Sequence, residues 1–168
     1  GDPDAWNALC AKLARISATF LQVQVDAGAS AIQLFDSWVG ALSRADYERF
    51  VQPHSAAVLS TIGEHDVPRI HFGVGTGELL GAMSKAGSEV MGVDYRVTMD
   101  AAAARVNADV LQGNLDPALL FAGEDAVIRG IGNRPGVAAF GVSRLSGSRA
   151  GLHARRRCPT ARPSPAAP

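Results

Sequence analysis

Two hydrophobic periods alternate along this chain, and that alternation restricts its fold more than any other feature. Short apolar runs typical of buried strands are followed in turn by segments whose apolar residues recur at helical spacing. The runs that we predict to be strands are residues 29–35, 69–72, 89–93 and 109–111. Because a predicted helix separates each strand from the next, the sequence favours an α/β fold with a parallel sheet.

The helices between these strands are predicted from their boundary signals. Asp2 and Pro3 are typical of an N-cap and a first-turn proline, and the helix that they begin ends before Gly28. Ser43 begins a second helix that runs to about Ile62, with a kink expected at its internal proline. Three further helices are predicted, over 77–86, over 99–106 and from Asp116 onward.

Polar residues collect where the predicted strands end. They are Asp36-Ser37, residues 73–76, Asp94-Tyr95 and residues 112–116. The carboxyl ends of parallel strands meet at one edge of a sheet or barrel, and ligands bind there in α/β folds. We therefore expect the functional residues of this chain to lie at that edge.

The loop after the second predicted strand carries three alternating glycines, Gly73, Gly75 and Gly77. Such loops let a backbone approach a nucleotide-type cofactor, and Asp94 at the end of the next strand would hold the ribose hydroxyls. One hypothesis is therefore a methyltransferase-like domain that uses S-adenosylmethionine. The alternative is a tight strand-to-helix turn with Thr76 as the N-cap. His71 disfavours the cofactor hypothesis, because methyltransferase loops usually carry an acid at that position.

Two carboxylates at the same edge resemble an acid–base pair. They are Asp36 and Asp94, which follow the first and third predicted strands. We predict that both serve in capping or salt bridging instead. His71 is likewise predicted to be a hydrogen-bonded strand residue and not a base.

The formal net charge of zero hides a strong asymmetry. Residues 1–125 hold 16 acidic and 8 basic residues, a charge of −8, whereas residues 126–168 hold 8 arginines and no acid, a charge of +8. After about Asn133 the sequence is rich in Arg, Ala, Gly, Pro and Ser and has no apolar periodicity. We therefore predict a folded region over 1–132 and an irregular, disordered tail over 133–168. A basic arm for nucleic acid is one interpretation of the tail; an out-of-frame reading of a GC-rich gene is the one we favour.

The remaining composition disfavours several classes of protein. Cys10 and Cys158 lie far apart and give neither a metal-ligand spacing nor a disulfide framework, which is typical of the reducing cytosol. No run of ~18 apolar residues could span a membrane. The chain has 168 residues, whereas a complete (β/α)8 barrel has ~250. Since it also begins without Met, we expect it to start within a longer sequence.

Four segments of the chain follow one another in a recognisable order and spacing. They are V-D-A-G-A-S-A-I-Q-L-F-D-S-W-V-G (25–40), I-H-F-G-V-G-T-G-E-L-L, M-G-V-D-Y and V-L-Q-G-N-L-D-P-A-L-L-F-A. Together they resemble the uroporphyrinogen decarboxylase family, over about residues 1–125. That family more often has Trp where Tyr95 stands. Four segments in register are more specific than one glycine loop, so we favour this family over a cofactor-binding domain.

The resemblance implies a fold, a reaction and a setting. Members fold as a (β/α)8 TIM barrel, of which this chain would supply the C-terminal portion, about four strands, incomplete by itself. They act as cytoplasmic homodimers and use no metal or organic cofactor. They decarboxylate the four acetate side chains of uroporphyrinogen III to give coproporphyrinogen III. The expected partner is thus a porphyrinogen, with no nucleic acid or membrane, and we expect this chain alone to be poorly stable and inactive.

Residues of this chain match only part of the family's site. Ser37 matches a strand-end hydroxyl that hydrogen-bonds the substrate, and its alternative role is a turn or helix cap. Phe35 matches an aromatic residue that lines the cleft, and its alternative role is core packing. We assign no catalytic residue, because the family's arginines, aspartate and tyrosine lie before Gly1. His153 does not match the family's C-terminal histidine.

Overall fold

A single sheet organises the computed structural model, which describes residues 1–62, 67–108, 110–132 and 142–144. Its strands are β1 (Ile32–Phe35), β2 (Arg69–Phe72), β3 (Val90–Gly92), β4 (Val110–Gln112) and β5 (Val142–Arg144). The strands neighbour one another in chain order; β1 to β4 are parallel and β5 is antiparallel to β4. The predicted α/β class and parallel strand order are confirmed.

Helices separate the parallel strands. The α-helices are α1 (Pro3–Asp26), α2 (Arg44–Phe50), α3 (Gln52–Thr61), α4 (Leu80–Met83), α5 (Met99–Ala103) and α6 (Glu124–Gly132). Short 3-10 helices cover Val39–Ala41, Ser84–Ala86 and Pro117–Ala122. Since these connections lie between adjacent parallel strands, the arrangement is that of successive βα units.

The first helix begins and ends as its sequence predicts. An Asp2 carboxylate oxygen accepts hydrogen bonds from the backbone N–H groups of Asp4 and Ala5, each at 3.1 Å. Pro3 occupies the first turn, where a missing N–H costs nothing. After the last turn the chain reverses at Gly28, whose φ of +97° favours glycine.

The second predicted helix is two helices that are separated at Val51. Its φ of −125° and ψ of −50° interrupt the helical backbone between α2 and α3. Pro53 lies in the first turn of α3, where it breaks no intrahelical hydrogen bond. Ser43 caps α2 by accepting from the Asp46 N–H at 3.1 Å, as the capping-box spacing predicts.

The helix after the glycine loop is shorter than predicted. Residues 77–86 contain only one turn of α-helix, α4, and a 3-10 turn that follows it. The N-cap prediction for Thr76 is wrong, because α4 has no side-chain cap. The buried Thr76 hydroxyl instead donates to the Gly73 carbonyl at 3.0 Å and closes the loop on itself.

Two clusters of buried side chains form the core. One lies between α1, β1 and α3 and includes Ile32; the other joins α4 to β3 and β4 and includes Met83 and Met91. Leu34 packs against the first cluster, as Ile32 does. Because side chains alternate along a strand, Phe35 points to the opposite face of the sheet.

The tail is described only in part. Residues 142–144 form β5, whereas the rest of 133–168, including His153 and Cys158, lies outside the described residues. The prediction of an irregular tail therefore stays a prediction, apart from this short strand. In the part of the chain that the structure describes, every helix is too short or too polar to cross a membrane.

Candidate functional site

The predicted site residues come together at the carboxyl edge of the sheet. Phe35 is the last residue of β1 and lies in register with Phe72, the last residue of β2. The Asp36 N–H extends this pairing by donating to the Phe72 carbonyl at 2.8 Å. The turn with Ser37 and the glycine loop therefore leave the sheet side by side.

Phe35 presents an aromatic surface at this edge. Its side chain is 61% exposed, so the core-packing alternative does not apply in the described residues. Its ring meets the Phe72 ring edge to face, with centroids 5.7 Å apart at 77°. One face of Phe35 is therefore available to a flat ligand.

Ser37 follows two residues later and is half-buried. Its side chain caps neither the 3-10 helix that begins at Val39 nor α2. Within the described ranges its hydroxyl makes no hydrogen bond. A hydroxyl can donate and accept, so Ser37 can bind a carboxylate or a pyrrole nitrogen at this edge.

Trp38 is the residue at this edge that our sequence reasoning missed. Its side chain is 90% exposed, beside Ser37 in the F-D-S-W segment. It lines a cavity of about 630 Å³ with Trp6, Leu42 and Phe50, but neither Ser37 nor Phe35 lines that cavity. Position alone could have drawn attention to Trp38, since a tryptophan that follows a strand end is well placed to contact a ligand.

Asp36 is held by two side chains behind the turn. One carboxylate oxygen, Oδ2, lies 2.7 Å from His71 Nε2 and accepts a hydrogen bond from the Ser55 hydroxyl at 2.7 Å. The other ring nitrogen of His71, Nδ1, lies 3.3 Å from the Met83 carbonyl, to which it can only donate. Both nitrogens are engaged and the ring is fully buried, which confirms that His71 is a hydrogen-bonded strand residue.

Asp94 is held separately, by the glycine loop and an arginine. Its Oδ2 accepts from the Gly75 N–H and, at 2.7 Å, from the Arg96 guanidinium. Burial opposes ionisation of this carboxyl, but the hydrogen bonds from Gly75 and Arg96 outweigh it and lower its pKa. Asp36 and Asp94 thus have different partners, and the prediction of capping and salt bridging over an acid–base pair is confirmed.

The glycine loop serves packing, and the methyltransferase alternative has no support. The Gly75 N–H that would face a cofactor binds Asp94, whose carboxylate would have to hold the ribose. A Cβ at Gly73 would lie 2.9 Å from the Asp36 carbonyl oxygen, and one at Gly77 would lie 2.7 Å from a Val97 methyl group. These glycines allow the loop to contact its own protein closely.

Asp94→Asn should reduce the loss of stability that acid causes. The lowered pKa means that the ionised Asp94 stabilises the fold above its ordinary value of 3.8, and that this contribution is lost as pH falls through the lower, folded value. We expect the variant to cost about 1.5 kcal/mol near pH 7 and to approach the parent chain in strong acid. Urea unfolding across this pH range measures the difference.

Asp100→Asn, at an exposed residue in the first turn of α5, is the matched control for that series. It should leave the acid dependence close to that of the parent. Glu89, whose pKa is also lowered because hydrogen bonds from Arg69 outweigh its burial, remains in both variants. An Asp94→Asn chain with the full acid dependence of the parent would contradict the assigned role of Asp94.

The described ranges contain no cluster of side chains that could bind a metal ion. No group of three or more His, Cys, Asp or Glu side chains there could hold an ion. Burial raises the pKa of the Cys10 thiol. Among the residues at the sheet edge, the Ser37 hydroxyl and the exposed rings of Phe35 and Trp38 are the groups best placed to meet a ligand.

Comparisons with known proteins agree with this geometry. Residues 1–133 match the family model described as "Uroporphyrinogen decarboxylase (URO-D)". The chain is 63% identical over 123 residues to a protein of Salinispora tropica, 61% over 127 residues to one of Corynebacterium glutamicum and 62% over 128 residues to one of Streptomyces coelicolor. Each of these relatives bears the name uroporphyrinogen decarboxylase.

These matches cover most of this chain and a minor part of each relative. They include 73%, 73% and 76% of the chain but 33%, 36% and 36% of the three relatives, so the chain spans about a third of their length. The matched segment contains the whole edge described above, from Phe35 through the glycine loop to Asp94. The chain belongs to the uroporphyrinogen decarboxylase family.

Proposed function

We propose that this chain forms part of a uroporphyrinogen decarboxylase and that the carboxyl edge of its sheet forms part of the substrate cleft. The observation that carries the proposal is the Ser37 hydroxyl, which makes no hydrogen bond in the described residues, beside the exposed Phe35 ring at the edge where α/β proteins bind ligands. Both residues belong to a segment that matches the family. The substrate is uroporphyrinogen III, and the product is coproporphyrinogen III.

The reaction needs orientation and electrostatics more than a cofactor. Protonation of a pyrrole ring makes that ring an electron sink for the pair released when the bond to the carboxylate breaks. Carbon dioxide leaves, a proton reaches the methylene carbon, and the ring releases the proton that it had taken up. In this scheme Ser37 hydrogen-bonds a polar group of the substrate, and the Phe35 ring packs against a pyrrole face.

The sheet is the C-terminal part of a (β/α)8 barrel in this proposal. In the described residues β1 pairs only with β2, which leaves its other edge available to a further parallel strand. The other strands and helices of the barrel complete the cleft. The complete enzyme is a cytoplasmic homodimer, as the family resemblance implies, and the cysteine pattern supports a reducing compartment.

Ser37→Ala should weaken the binding of uroporphyrin III, the stable oxidised form of the substrate, by about tenfold, which corresponds to one lost hydrogen bond of about 1.4 kcal/mol. Phe35→Ala should weaken it to a similar extent, because the ring loses a stacking partner. Quenching of tryptophan fluorescence by the porphyrin measures the affinity, with Trp38 close to the site.

Ser60→Ala is the control for that measurement. Ser60 lies on α3, and its hydroxyl donates to the Ala57 carbonyl at 3.0 Å within the same helix. Its replacement should leave porphyrin affinity unchanged. The proposal fails if Ser37→Ala binds uroporphyrin as tightly as Ser60→Ala does.

A further inference from the structure

We propose that Asp36 is a positioning residue, which fixes the turn that carries Ser37 and Trp38. We call residues 36–42 the Asp36 turn. The use of this turn for substrate rests on the proposed function above. Its ordering by Asp36 rests on the contacts of the described residues alone, so the two can be tested apart.

Three separate elements hold the carboxylate and backbone of Asp36. His71 reaches it from β2 and Ser55 from α3, both at Oδ2 and both at 2.7 Å. The Asp36 N–H donates to the Phe72 carbonyl at 2.8 Å, and the Asp36 carbonyl accepts from the Val39 N–H at 3.3 Å, where the 3-10 helix begins. Asp36 therefore joins the start of the turn to the sheet and to a helix at once.

The surroundings of this carboxylate are buried, which strengthens the bonds that it makes. The His71 side chain has no exposed surface and that of Asp36 is only 16% exposed. Tyr47, fully buried on α2, adds a phenol to the group. Burial first and the negative charge of Asp36 second raise the pKa of Tyr47, whereas Ser55 opposes the rise. Residues of β2, α2 and α3 thus surround one carboxylate.

The glycine loop closes the turn from the other side. A Cβ at Gly73 would lie 2.9 Å from the Asp36 carbonyl oxygen, and a Cβ at Gly40 would lie 2.3 Å from the Val74 carbonyl oxygen. The two backbones are therefore in contact at both ends of the Asp36 turn. The glycine loop contacts the turn on one side, and His71 and Ser55 hold Asp36 on the other. Loss of the hydrogen bonds to Asp36 should therefore increase the mobility of residues 36–42 without affecting the rest of the sheet.

The test measures the mobility of the turn without any ligand. In a Trp6→Phe background Trp38 is the only tryptophan of the chain, so its fluorescence anisotropy reports on the turn. Hydrogen exchange of the amides in 36–42 gives the same information residue by residue. We expect His71→Phe and Asp36→Asn to speed that exchange by about tenfold or more and to lower the Trp38 anisotropy. Exchange in β3 and β4 should stay within about twofold of the parent.

A double variant separates positioning from a purely structural role. Asp36→Leu with His71→Phe replaces the buried polar pair by apolar side chains, which commonly restores stability that either single change removes. We expect the melting temperature to recover in part while exchange in 36–42 stays fast. Recovery of both stability and slow exchange would overturn the proposal, because apolar packing alone would then order the turn.

Leu111→Ala is the control for general destabilisation. Leu111 is buried on β4, away from the Asp36 turn, and its truncation should lower stability without selective exchange in 36–42. The proposal is overturned if Leu111→Ala speeds exchange in the turn as much as His71→Phe does, or if His71→Phe leaves it unchanged.

Porphyrin binding distinguishes this inference from the proposed function. If uroporphyrin III binds the parent chain, His71→Phe should weaken binding by about tenfold, and His71→Gln, which keeps a polar group able to hydrogen-bond, should recover part of it. Unchanged affinity in His71→Phe would overturn the positioning role. If Ser37→Ala binds uroporphyrin as tightly as the parent chain does, the proposed function fails, and the exchange data still decide whether Asp36 orders the turn.

Discussion

An equimolar mixture of this chain with the unmatched part of a relative should form a stable complex and gain decarboxylase activity, whereas the chain alone should be poorly stable and inactive. The part of the Salinispora tropica protein outside its matched segment is a suitable partner, because the matched segment is 63% identical to this chain. The expected gain comes from two surfaces that remain uncovered in the described residues. These are the outer edge of β1 and one face of α1.

The uncovered face of α1 is a stripe of six large apolar side chains. Their exposed fractions are Trp6 45%, Leu9 52%, Leu13 52%, Ile16 57%, Phe20 67% and Val23 61%. They recur at alternating intervals of three and four, so they share one side of the helix. The opposite side carries Ala14, Ala18 and Leu21, which are buried. An apolar stripe of this length is typical of a surface that another element covers.

In the proposed barrel, we expect the stripe to be covered by the strand–helix unit that lies next to β1. That unit would also supply the parallel neighbour of β1, so one element would bury both surfaces. Ile16→Asp or Phe20→Asp should weaken the complex by at least about 100-fold, since each places an unpaired charge in an apolar interface. Arg15→Asp, on an exposed side of the same helix, changes the charge by two units instead of one and is therefore a strict control for the added charge.

Size-exclusion chromatography, binding titration and turnover of uroporphyrinogen measure these effects together. Turnover by the purified chain alone would contradict the prediction of inactivity. Association of the chain with itself through the stripe, at the same affinity in the presence of the relative's part, would contradict the assigned partner. Equal effects of Ile16→Asp and Arg15→Asp would show that the stripe is not the interface.

Gly40→Ala should be among the most destabilising single changes in this chain, by about 3 kcal/mol or more. The added Cβ would lie 2.3 Å from the Val74 carbonyl oxygen and 2.9 Å from the carbonyl carbon and oxygen of Gly75. All three atoms belong to the backbone, so no side chain can rotate to make room. Either the glycine loop or the Asp36 turn must move, and both lie at the candidate site.

Gly28→Ala provides a comparison in which space is open but the backbone is strained. Gly28 has a φ of +97° and no atom within 4 Å of an added Cβ, so its replacement should cost about 1 to 2 kcal/mol. Urea unfolding of both variants gives the two free energies. A free energy of unfolding of Gly40→Ala within about 0.5 kcal/mol of the parent value would contradict the close approach of the two backbones.

Sequence reasoning was reliable where a local signal determines the structure. Strand β2 has the predicted bounds of 69–72, because a short segment with alternating apolar residues, Ile70 and Phe72, stands between a proline and a glycine. The cap at Asp2 and the break near Pro53 follow from single side chains. The fold class followed from the order of strands and helices, and the family from four segments in register.

Contacts between distant residues could not be predicted in this way. Asp36 and His71 are 35 positions apart and meet only because β1 and β2 pair in one particular register. The apolar residues of the stripe on α1 recur at helical spacing in the sequence, but that spacing does not say which side of the helix faces the described core. Small residues such as Ala14 and Ala18 take that side, because they let α1 approach α3 closely.

The bond between Gly75 and Asp94 has a consequence for how glycine loops are interpreted. A loop whose backbone N–H groups point to its centre can bind an anion. Here the anion is the carboxylate of Asp94, which lies 19 residues after Gly75. Arg96 holds the carboxylate in place, so an external anion would have to displace a resident one. Two sequences with the same glycine spacing can thus differ in kind. In one, the loop N–H groups are free to bind a nucleotide. In the other, they bind the protein's own aspartate, and the loop stabilises the fold instead of recognising a ligand.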